Sequence, residues 1–472
     1  HRFSVFMKVF VWLLMCCVIS STSFSDEKIS KEKLGQLAMA DILMKPTQLK
    51  IASNDAVITL FTMHGSNTLG ESLTPNLAMA YLKAKGIKNL RVQPLAQANE
   101  KVVKGDWLPQ GKTVQIHISA HGSSTGFKGL MSGDAQVWAS SRPVKNKEIM
   151  QAKALTNLQE GGSEHVVAID GLAMVVHPNN PINKLSKRQL AGIFSGKVKN
   201  WQELGGFNQA IHLYARDENS GTWDSFKNMV LDKSHPLSNG AQRFESSEVL
   251  VNRVLTDPGA IGFIGLAFVG KSKLLAISDG EAAFKPSLLT VATEDYALSR
   301  RLFLYTAQQQ DTPFVSEFIA FVQGIEGQKI VRHQGFISQN VAAMNTVLAD
   351  NLPSEYLQIV QGNQRLSVNF RFKPGSAKLD NKASKDVQRL VHFIKQQKEP
   401  KELLLIGFGD KRKNAQRSKL LSKLRAMAVR RELARLGVYA KLSTGYGEFN
   451  PLASYESSSG KIKNRRVEVW LR

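Results

Sequence analysis

The segment Arg216–Thr222 combines a permanent cation, two hydroxyls and a glycine within seven residues. A guanidinium presents paired donors that match a tetrahedral oxyanion, and the free N–H groups at a helix N-terminus attract the same kind of ligand. A helical pattern follows from Trp223, so Ser220 is the expected N-cap, and the N–H groups of Gly221 and Thr222 would face the same anion. The segment indicates an oxyanion site, with an ordinary strand, loop and serine cap as the alternative.

Three further hydroxyl-rich loops follow strand-like runs. The runs Ala56–Met63, Val114–Ala120 and Ala135–Ala139 each end at a loop that contains serine or threonine, and the last of these loops also carries Arg142. Ligands of open α/β sheets bind at the carboxyl ends of the strands. Four strand ends with the same chemistry are therefore expected to converge on one anion.

The composition is that of a globular protein with a strong basic excess. The chain has 472 residues, enough for two or three domains, and its formal net charge is +23. Such a charge favours acidic partners: nucleic acid, anionic lipid headgroups, cell-wall polymers or small anions. Charge alone does not distinguish among them.

Residues 1–25 have the features of a secretory signal peptide. Translation is expected to start at Met7, an apolar core follows, and cleavage is expected before Asp26. A lipoprotein signal ending at Cys16 is a weaker alternative because the bulky Met15 stands where a small residue is needed. Both cysteines lie in this segment, so the mature protein is expected in the periplasm without a disulfide or a reactive thiol. Residues 26–55 receive no assignment.

Residues 56–340 resemble the periplasmic phosphate-binding proteins of phosphate ABC transporters. The resemblance implies an α/β fold of the two-lobed type II periplasmic-binding-protein class, with inorganic phosphate or a similar oxyanion as ligand. It extends to motifs outside the predicted site, namely Ala168–Asn180 at the start of the second lobe, Leu190–Trp201 with Gly205-Gly206, Pro258–Phe263, and Gly327–Val331 with Gly335-Phe336.

The resemblance also implies which residues contact the anion. Ser141 stands where some family members have an aspartate, which accepts a hydrogen bond from protonated phosphate and repels sulfate. Selectivity would then depend on another acceptor, such as Asp170, unless a carboxylate near Arg142 or Arg216 forms only a structural ion pair. The implied phosphate ligands are Asn67, Thr68, Ser123, Ser124, Ser141, Arg142, Arg216, Ser220, Gly221 and Thr222.

The pattern changes after residue 365. Strand-like alternation at Leu366–Phe372, Glu402–Gly407 and Val467–Leu471 brackets two helical patterns, one that starts at Ser376 and one at Leu420–Leu436. This βαβαβ order predicts a small α/β sandwich over residues 366–472, with residues 341–365 as a linker. The sandwich resembles the OmpA-like peptidoglycan-binding domain in the motifs Gly407–Asp410, Leu421–Val429, Gly445–Glu448, Pro451–Ala453 and, most specifically, Asn464–Glu468.

This second resemblance implies a peptidoglycan site. The free end of diaminopimelate is a zwitterion, which Asp410 and Arg425 would hold through its ammonium and its carboxylate. A salt bridge between the two residues is the alternative. Phe408, Gly409 and Ser418 replace residues that are usual in the family, and these changes affect the expected affinity more than the fold.

Basic residues are concentrated between Lys411 and Arg435, where ten of them accompany one acid, Glu432. A solvated helix face is the simplest interpretation. The segment has no aromatic residues that could stack on bases, and the chain carries an export signal, so nucleic acid is not an expected partner. The anionic cell wall or the lipopolysaccharide of an outer membrane fits the charge better.

These features predict a periplasmic receptor for phosphate or a similar oxyanion, anchored non-covalently to the peptidoglycan of a Gram-negative envelope and without a cofactor or metal. A wall-bound structural or interaction module with a degenerate ligand site is the alternative. A serine hydrolase is less well supported: Gly122–Gly126 matches G-x-S-x-G, with His177, His212 and His235 as possible bases, but no Asp–His pairing is evident in the sequence. No enzyme activity is therefore predicted.

Overall fold

The computed structural model describes residues 54–280, 282–309, 312–348, 352–449, 452–456 and 458–472. The predicted signal peptide and nearly all of the unassigned segment 26–55 lie outside these residues. Within the described ranges, no helix has the length and apolarity needed to span a membrane.

The first lobe begins with a strand that ends at a polar loop, as the apolar alternation predicts. A π-helical turn (Leu69–Leu73) and a 3-10 turn (Leu108–Gln110) interrupt the regular elements. These are β1 (Val57–Gly65), α1 (Thr74–Ala84), β2 (Lys88–Pro94), β3 (Glu100–Trp107), β4 (Lys112–Ser119), α2 (Ser123–Ser132), β5 (Val137–Ser140) and α3 (Asn146–Ala152). Because β1 pairs in parallel with β4 and β5, the loops after these strands lie along one edge of the sheet.

The chain then builds the second lobe and returns to the first. The 3-10 turns Trp201–Leu204 and Leu266–Phe268 lie in the second lobe. Its regular elements are β6 (Glu164–Val176), β7 (Lys184–Ser186), α4 (Lys187–Phe194), β8 (His212–Arg216), α5 (Gly221–Met229), β9 (Gln242–Phe244), α6 (Ser247–Val254), β10 (Ala260–Gly265), β11 (Lys273–Leu274), β12 (Ala276–Ser278), β13 (Ala283–Phe284) and α7 (Leu288–Ala292), and the returning elements are β14 (Ser299–Tyr305), α8 (Pro313–Gln323) and α9 (Ile325–His333).

The long strand β6 connects the two lobes. Its first half pairs with β14 and its second half with β10, so one strand belongs to both lobes. The register places Arg300 of β14 opposite Asp170 of β6, at the point where the lobes meet. Each lobe has an apolar core, and in the second lobe the rings of Phe226 and Phe263 stack with centroids 4.0 Å apart. The predicted two-lobed α/β fold is confirmed.

The C-terminal domain is a five-stranded sheet with helices on it. The strands follow the order β15-β16-β19-β17-β18. Its elements are β15 (Ala343–Met344), α10 (Ser354–Val360), β16 (Gln364–Phe370), α11 (Asn381–Lys395), β17 (Leu403–Gly407), α12 (Ala415–Arg435), β18 (Leu442–Gly445), α13 (Ser458–Asn464) and β19 (Val467–Leu471). The predicted α/β sandwich is thus observed, with two additional strands: β15, which pairs antiparallel with β16, and β18, which pairs in parallel with β17.

Two details differ from the prediction. The segment 341–365, expected to be a linker, carries α10, whose Tyr356 and Val360 pack beside Trp470 in the C-terminal domain. The spacing of four between these two apolar residues was a helical signal. The helix expected from Ser376 starts only at Asn381, because the side chain of Asp380 caps it by accepting from the Ala383 N–H at 2.8 Å.

The C-terminal domain is docked on the rest of the chain through a buried, charged interface. Arg301 of β14 bonds to Asp380 at 2.8 Å, and Arg371 bonds to Glu294 at 2.9 Å. Arg389 of α11 donates to the carbonyl of Gln323 at 3.3 Å. The two parts are therefore joined by side-chain contacts as well as by the chain.

Candidate functional site

The lobes meet at hydroxyls that were predicted to bind the anion. Thr68 Oγ1 of the first lobe donates to the Gly221 carbonyl of the second lobe at 3.1 Å. Ser141 Oγ, also of the first lobe, donates to Asp224 Oδ2 of the second at 2.8 Å. Ser123 Oγ lies 3.1 Å from Ser141 Oγ. These contacts bring together Thr68, Ser123, Ser141 and Gly221. The hydroxyls of Thr68, Ser123 and Ser141 lie at the contact between the lobes.

The start of α5 forms the second-lobe side of this contact. Ser220 caps the helix as predicted, because its Oγ accepts from the Thr222 N–H at 3.1 Å. A Cβ added to Gly221 would lie 2.6 Å from Thr68 Cα, closer than side-chain carbons approach backbone atoms. The glycine therefore permits the two lobes to come together at this point.

Arg300 lies at the centre of the contact, although it was not among the predicted ligands. Its Nη2 donates to Thr68 Oγ1 at 2.9 Å and to Ser225 Oγ, and its Nε donates to Asp170 Oδ2 at 3.3 Å. The side chain is 8% exposed. One guanidinium therefore contacts both lobes and the strand that connects them. A possible sequence signal was the pair of arginines directly before the apolar run Leu302–Tyr305.

One donor of Arg300 has no acceptor. The buried Nη1 makes no hydrogen bond within the described part of the chain, and it lies 3.6 Å from Asp224 Oδ2, beyond hydrogen-bond range. Leaving a buried charged donor without a hydrogen-bond acceptor costs free energy, so an anionic oxygen could bond to this nitrogen, in competition with the ion pairs that Asp170 and Asp224 already form with the guanidinium. The neighbouring hydroxyls of Thr68 and Ser141 can turn toward the same oxygen.

Carboxylates other than the aspartate that Ser141 replaces are present at the site. Ser141 itself is not an aspartate, but Asp224 reaches its hydroxyl from the other lobe. Asp170, the acceptor suggested by the sequence, accepts from Ser225 Oγ at 2.8 Å as well as from Arg300. The contact with Asp224 joins residues 83 positions apart, so only the fold brings them together.

Arg216 was predicted to contact the anion, and each of its guanidinium nitrogens donates to a protein group. Its Nη1 donates to Ser247 Oγ and its Nη2 to the Glu245 carbonyl, both at 2.6 Å, while Nε donates to the Phe244 carbonyl at 3.2 Å. Burial lowers the pKa of this guanidinium. Nη1 also approaches Thr222 Oγ1 at 3.4 Å. Arg216 thus holds the loop after β9 against the end of β8.

A cavity of about 260 Å³ contains three of the predicted ligands. Asn67, Arg216 and Ser220 line it, together with the exposed Glu71 and the partly buried Asp217. Ser220 lies next to Gly221 in the chain and Asn67 next to Thr68, so the cavity adjoins the contact between the lobes. These three predicted ligands therefore share one cavity, which Arg300 does not line.

Arg142 and Ser124 lie together in a different arrangement. Arg142 forms a two-point ion pair with Glu148, with nitrogen–oxygen distances of 2.7 and 2.9 Å. Burial alone would raise the pKa of Glu148, but the bonds to Arg142 lower it on balance. Ser124 Oγ accepts from Arg142 at 3.4 Å. For Arg142, the alternative of a structural ion pair is the one observed.

The hydrolase alternative gains no support from the histidines. Asp–His pairs do exist: His212 Nδ1 lies 2.8 Å from Asp257 Oδ2, and His235 Nδ1 lies 3.0 Å from Asp232 Oδ1. None of the hydrogen bonds of the described residues joins a histidine to Ser124, the serine of the G-x-S-x-G match, as a nucleophile requires. Over the same ranges, no cluster of His, Cys, Asp or Glu could hold a metal ion.

The second predicted site combines Asp410 and Arg425 without a salt bridge between them. Asp410 Oδ2 accepts from Arg465 Nε, and the buried Oδ1 has no hydrogen-bond partner in the described structure. Burial and the nearby charges of Arg465 and Arg412 lower the pKa of Arg425. Arg412, Arg425 and Arg465 line a cavity of about 170 Å³. An unpaired carboxylate oxygen near guanidinium groups suits a ligand with one positive and one negative end.

Two family models match this chain. The PBP superfamily domain matches residues 109–324, and the OmpA family matches residues 371–465. The C-terminal match falls on the sandwich with Asp410 and Arg425, and the first match includes most of the residues at the contact between the lobes.

Curated relatives and solved structures extend the comparison. The chain is 32% identical over 277 residues to the phosphate-binding protein PstS of Bacillus subtilis, covering 57% of this chain and 86% of that protein. It is 29% identical over 231 residues to PstS of Borreliella burgdorferi, covering 47% of this chain and 79% of that protein. An ABC-type phosphate transport receptor from Vibrio cholerae is 25% identical with a TM-score of 0.46, covering 59% of this chain and 99% of that one.

Proposed function

The chain belongs to the PstS family of phosphate-binding proteins, and we propose that it binds inorganic phosphate between its two lobes and is held at the cell wall by its C-terminal domain. The observation that carries the proposal is the buried Nη1 of Arg300, a cationic donor without an acceptor at the contact between the lobes. The protein acts outside the cytoplasm, in the periplasm of a Gram-negative envelope. Its role includes no catalytic step.

When phosphate binds, its oxygens replace the protein groups that now accept hydrogen bonds at the contact between the lobes. Arg300 supplies the charge, and the hydroxyls of Thr68 and Ser141 donate to the phosphate oxygens instead of to the opposite lobe, while Ser123 donates to them instead of bonding to Ser141. The N-terminus of α5 adds backbone N–H groups whose dipoles favour an anion. The lobes separate to admit the ligand and close around it, with β6 and β14 as the connecting strands.

Two carboxylates give the site its preference for phosphate over sulfate. At neutral pH inorganic phosphate is a mixture of anions that carry one or two protons, and an O–H group of either can donate to Asp224 or Asp170. Sulfate carries no proton, so it cannot donate a hydrogen bond to these carboxylates and is repelled by their negative charge. This arrangement performs the task of the aspartate that Ser141 replaces.

The C-terminal domain holds peptidoglycan through Asp410 and Arg425. The free Oδ1 of Asp410 accepts from the ammonium group of a diaminopimelate stem peptide, and Arg425 donates to its carboxylate. Arg465 keeps the Asp410 carboxylate in place through its Nε. Binding of isolated peptidoglycan sacculi, lost on Asp410→Asn, tests this part independently of phosphate.

Calorimetric titration with phosphate and, separately, with sulfate tests the cleft. We expect the wild type to bind phosphate, and Arg300→Met to bind it at least about 100-fold more weakly, because a buried charge-assisted contact is lost. Arg188→Met is the matched control, since this arginine is exposed on α4 of the second lobe. Absence of phosphate binding by the wild type would favour a wall-bound module with a degenerate ligand site, whereas equal affinity in Arg300→Met would show that Arg300 is not a phosphate ligand.

A further inference from the structure

The outward face of α12 carries an exposed apolar stripe. Leu420, Leu424 and Met427 are 56%, 43% and 42% exposed, although they are large hydrophobic residues. Their spacing of four and three residues places them on one side of the helix, one above the other. The 21 residues of α12 extend over roughly 30 Å, so the stripe occupies the middle of a long, straight surface.

Basic side chains flank this stripe on both sides. Only one acid belongs to the helix, Glu432, and it is paired with Arg435 at 2.8 Å. The apolar centre and its cationic border form what we call the α12 face. The basic residues of this face are exposed, and they are Arg417, Lys419, Lys423, Arg430, Arg431 and Arg435.

The α12 face is not the surface by which the helix packs in the protein. The opposite side of α12 buries Ala426, Val429 and Leu433 and packs on β17 and β18. The interface with the rest of the chain is formed instead by residues such as Arg371 and Arg389, outside α12. In the described structure, no hydrogen bond or ion pair joins α12 to residues before position 340.

We propose that the α12 face binds the surface of an anionic lipid bilayer. A helix with an apolar stripe between rows of Lys and Arg lies in the interface of a membrane, where the apolar side chains enter the acyl boundary and the cations meet lipid phosphates. Lys and Arg stems extend the apolar area while their charges remain in water. Peptidoglycan offers carboxylates but no apolar phase, so it matches only half of this surface. This inference does not depend on phosphate binding in the cleft.

Co-sedimentation with vesicles tests the proposal. The protein from Asp26 onward is mixed with vesicles of phosphatidylethanolamine and phosphatidylglycerol at a ratio of three to one, and with pure phosphatidylcholine. We expect binding to the anionic vesicles only, weakened about five- to tenfold by Leu420→Ser/Met427→Ser and by Lys419→Gln/Lys423→Gln. Leu424 is left unchanged because it borders the cavity that Arg425 lines.

The matched control is Met150→Ser/Leu155→Ser, which removes two residues that are 69% and 52% exposed in the first lobe and should leave vesicle binding unchanged. Equal binding of the wild type and Leu420→Ser/Met427→Ser overturns the proposal. So does equal binding to neutral vesicles. If the apolar variant keeps vesicle binding but loses binding to isolated sacculi, the face belongs to the wall polymer and the proposal is again overturned.

Discussion

Arg300 and Arg301 are neighbours in β14, yet they lie in two different regions of the molecule. Successive side chains of a strand point to opposite faces, so Arg300 reaches the contact between the lobes and Arg301 the interface with the C-terminal domain. Arg301 donates to the two oxygens of Glu294 at 2.6 and 3.1 Å and to Asp380 at 2.8 Å. Arg300 lies 3.3 Å from Asp170, and its Nη1 has no acceptor among the described atoms.

The hydrogen bonds of Arg301 are those of a structural ion pair, whereas those of Arg300 leave a donor for a ligand. The three nitrogens of Arg301 are satisfied by the protein itself, so removal of the side chain takes a guanidinium partner from Asp380 and leaves Glu294 with Arg371. The pairing of Arg300 is incomplete, and an anion can complete it. One residue type, at adjacent positions, is therefore expected to control stability in one region and ligand affinity in the other.

The largest expected effect is on stability, in Arg301→Met. Loss of one partner from a buried ionic cluster typically costs roughly 3–5 kcal/mol of unfolding free energy, because the remaining charges stay buried. Asp380 would lose this partner, and Glu294 would keep its ion pair with Arg371. Phosphate affinity should change little, since Arg301 points away from the cleft. Denaturant unfolding and calorimetric titration on the same preparation measure both quantities.

Arg300→Met should show the reverse order, with a large loss of phosphate affinity and a smaller loss of stability. Arg332→Met is the control for both measurements because Arg332 is exposed on α9. If Arg301→Met weakened phosphate binding more than Arg300→Met does, the division between the two regions would be wrong.

The same interface predicts a dependence of stability on acid. Burial alone would raise the pKa of Glu294, but the charges of Arg301, Arg371 and Lys382 hold it well below its ordinary value of 4.5. The unfolded state therefore binds the proton at a higher pH than the folded state does, so this stabilisation is complete above pH 4.5 and is lost as the pH falls below it.

Thermal unfolding of the wild type and Glu294→Gln between about pH 3 and pH 7 measures this contribution. The variant should be less stable at neutral pH and should lose less stability on acidification. Burial lowers the pKa of His165 from 6.5 to about 4. The unfolded state therefore binds this proton first as the pH falls below 6.5, which reduces stability equally in both proteins. Parallel curves for the two proteins would remove Glu294 from the explanation.

In the cleft, Asp224→Asn should change selectivity by about ten- to 100-fold. The amide can still bond to Ser141, but it no longer repels sulfate or offers a full negative charge to the phosphate O–H group. Phosphate should bind more weakly and sulfate more tightly, as measured by competition between the two anions. Asp232→Asn, an exposed aspartate of the same lobe, is the control. An unchanged ratio would assign selectivity to Asp170 instead.

Local patterns predicted the strand ends, the Ser220 cap and the hydroxyls of Thr68, Ser123 and Ser141, because each depends on neighbours within a few positions. Arg300 and Asp224 were missed because their roles depend on distant partners: Arg300 bonds to Thr68, 232 positions away. For Arg216 and Arg142, the sequence could not show that protein groups already accept from their donors. A cation in a polar loop looks the same in sequence whether its donors face a ligand or, as here, the Glu245 carbonyl and Glu148.

Gly221→Ala tests whether closure of the lobes, rather than the set of ligands, limits affinity. The sequence assigned Gly221 a backbone N–H for the anion, and the structure adds that its missing side chain allows Thr68 to approach. An alanine Cβ at 2.6 Å from Thr68 Cα would hold the closed lobes apart, at a cost of roughly 1–2 kcal/mol, or about tenfold in phosphate affinity. The helix itself favours alanine, so thermal stability without phosphate should not fall.

Gly192→Ala in α4, where the nearest side-chain atom lies at an ordinary 3.4 Å, should bind phosphate as the wild type does. Normal affinity in Gly221→Ala would mean that phosphate is held in a more open arrangement of the lobes, with Arg300 acting without the close contact between Thr68 and α5.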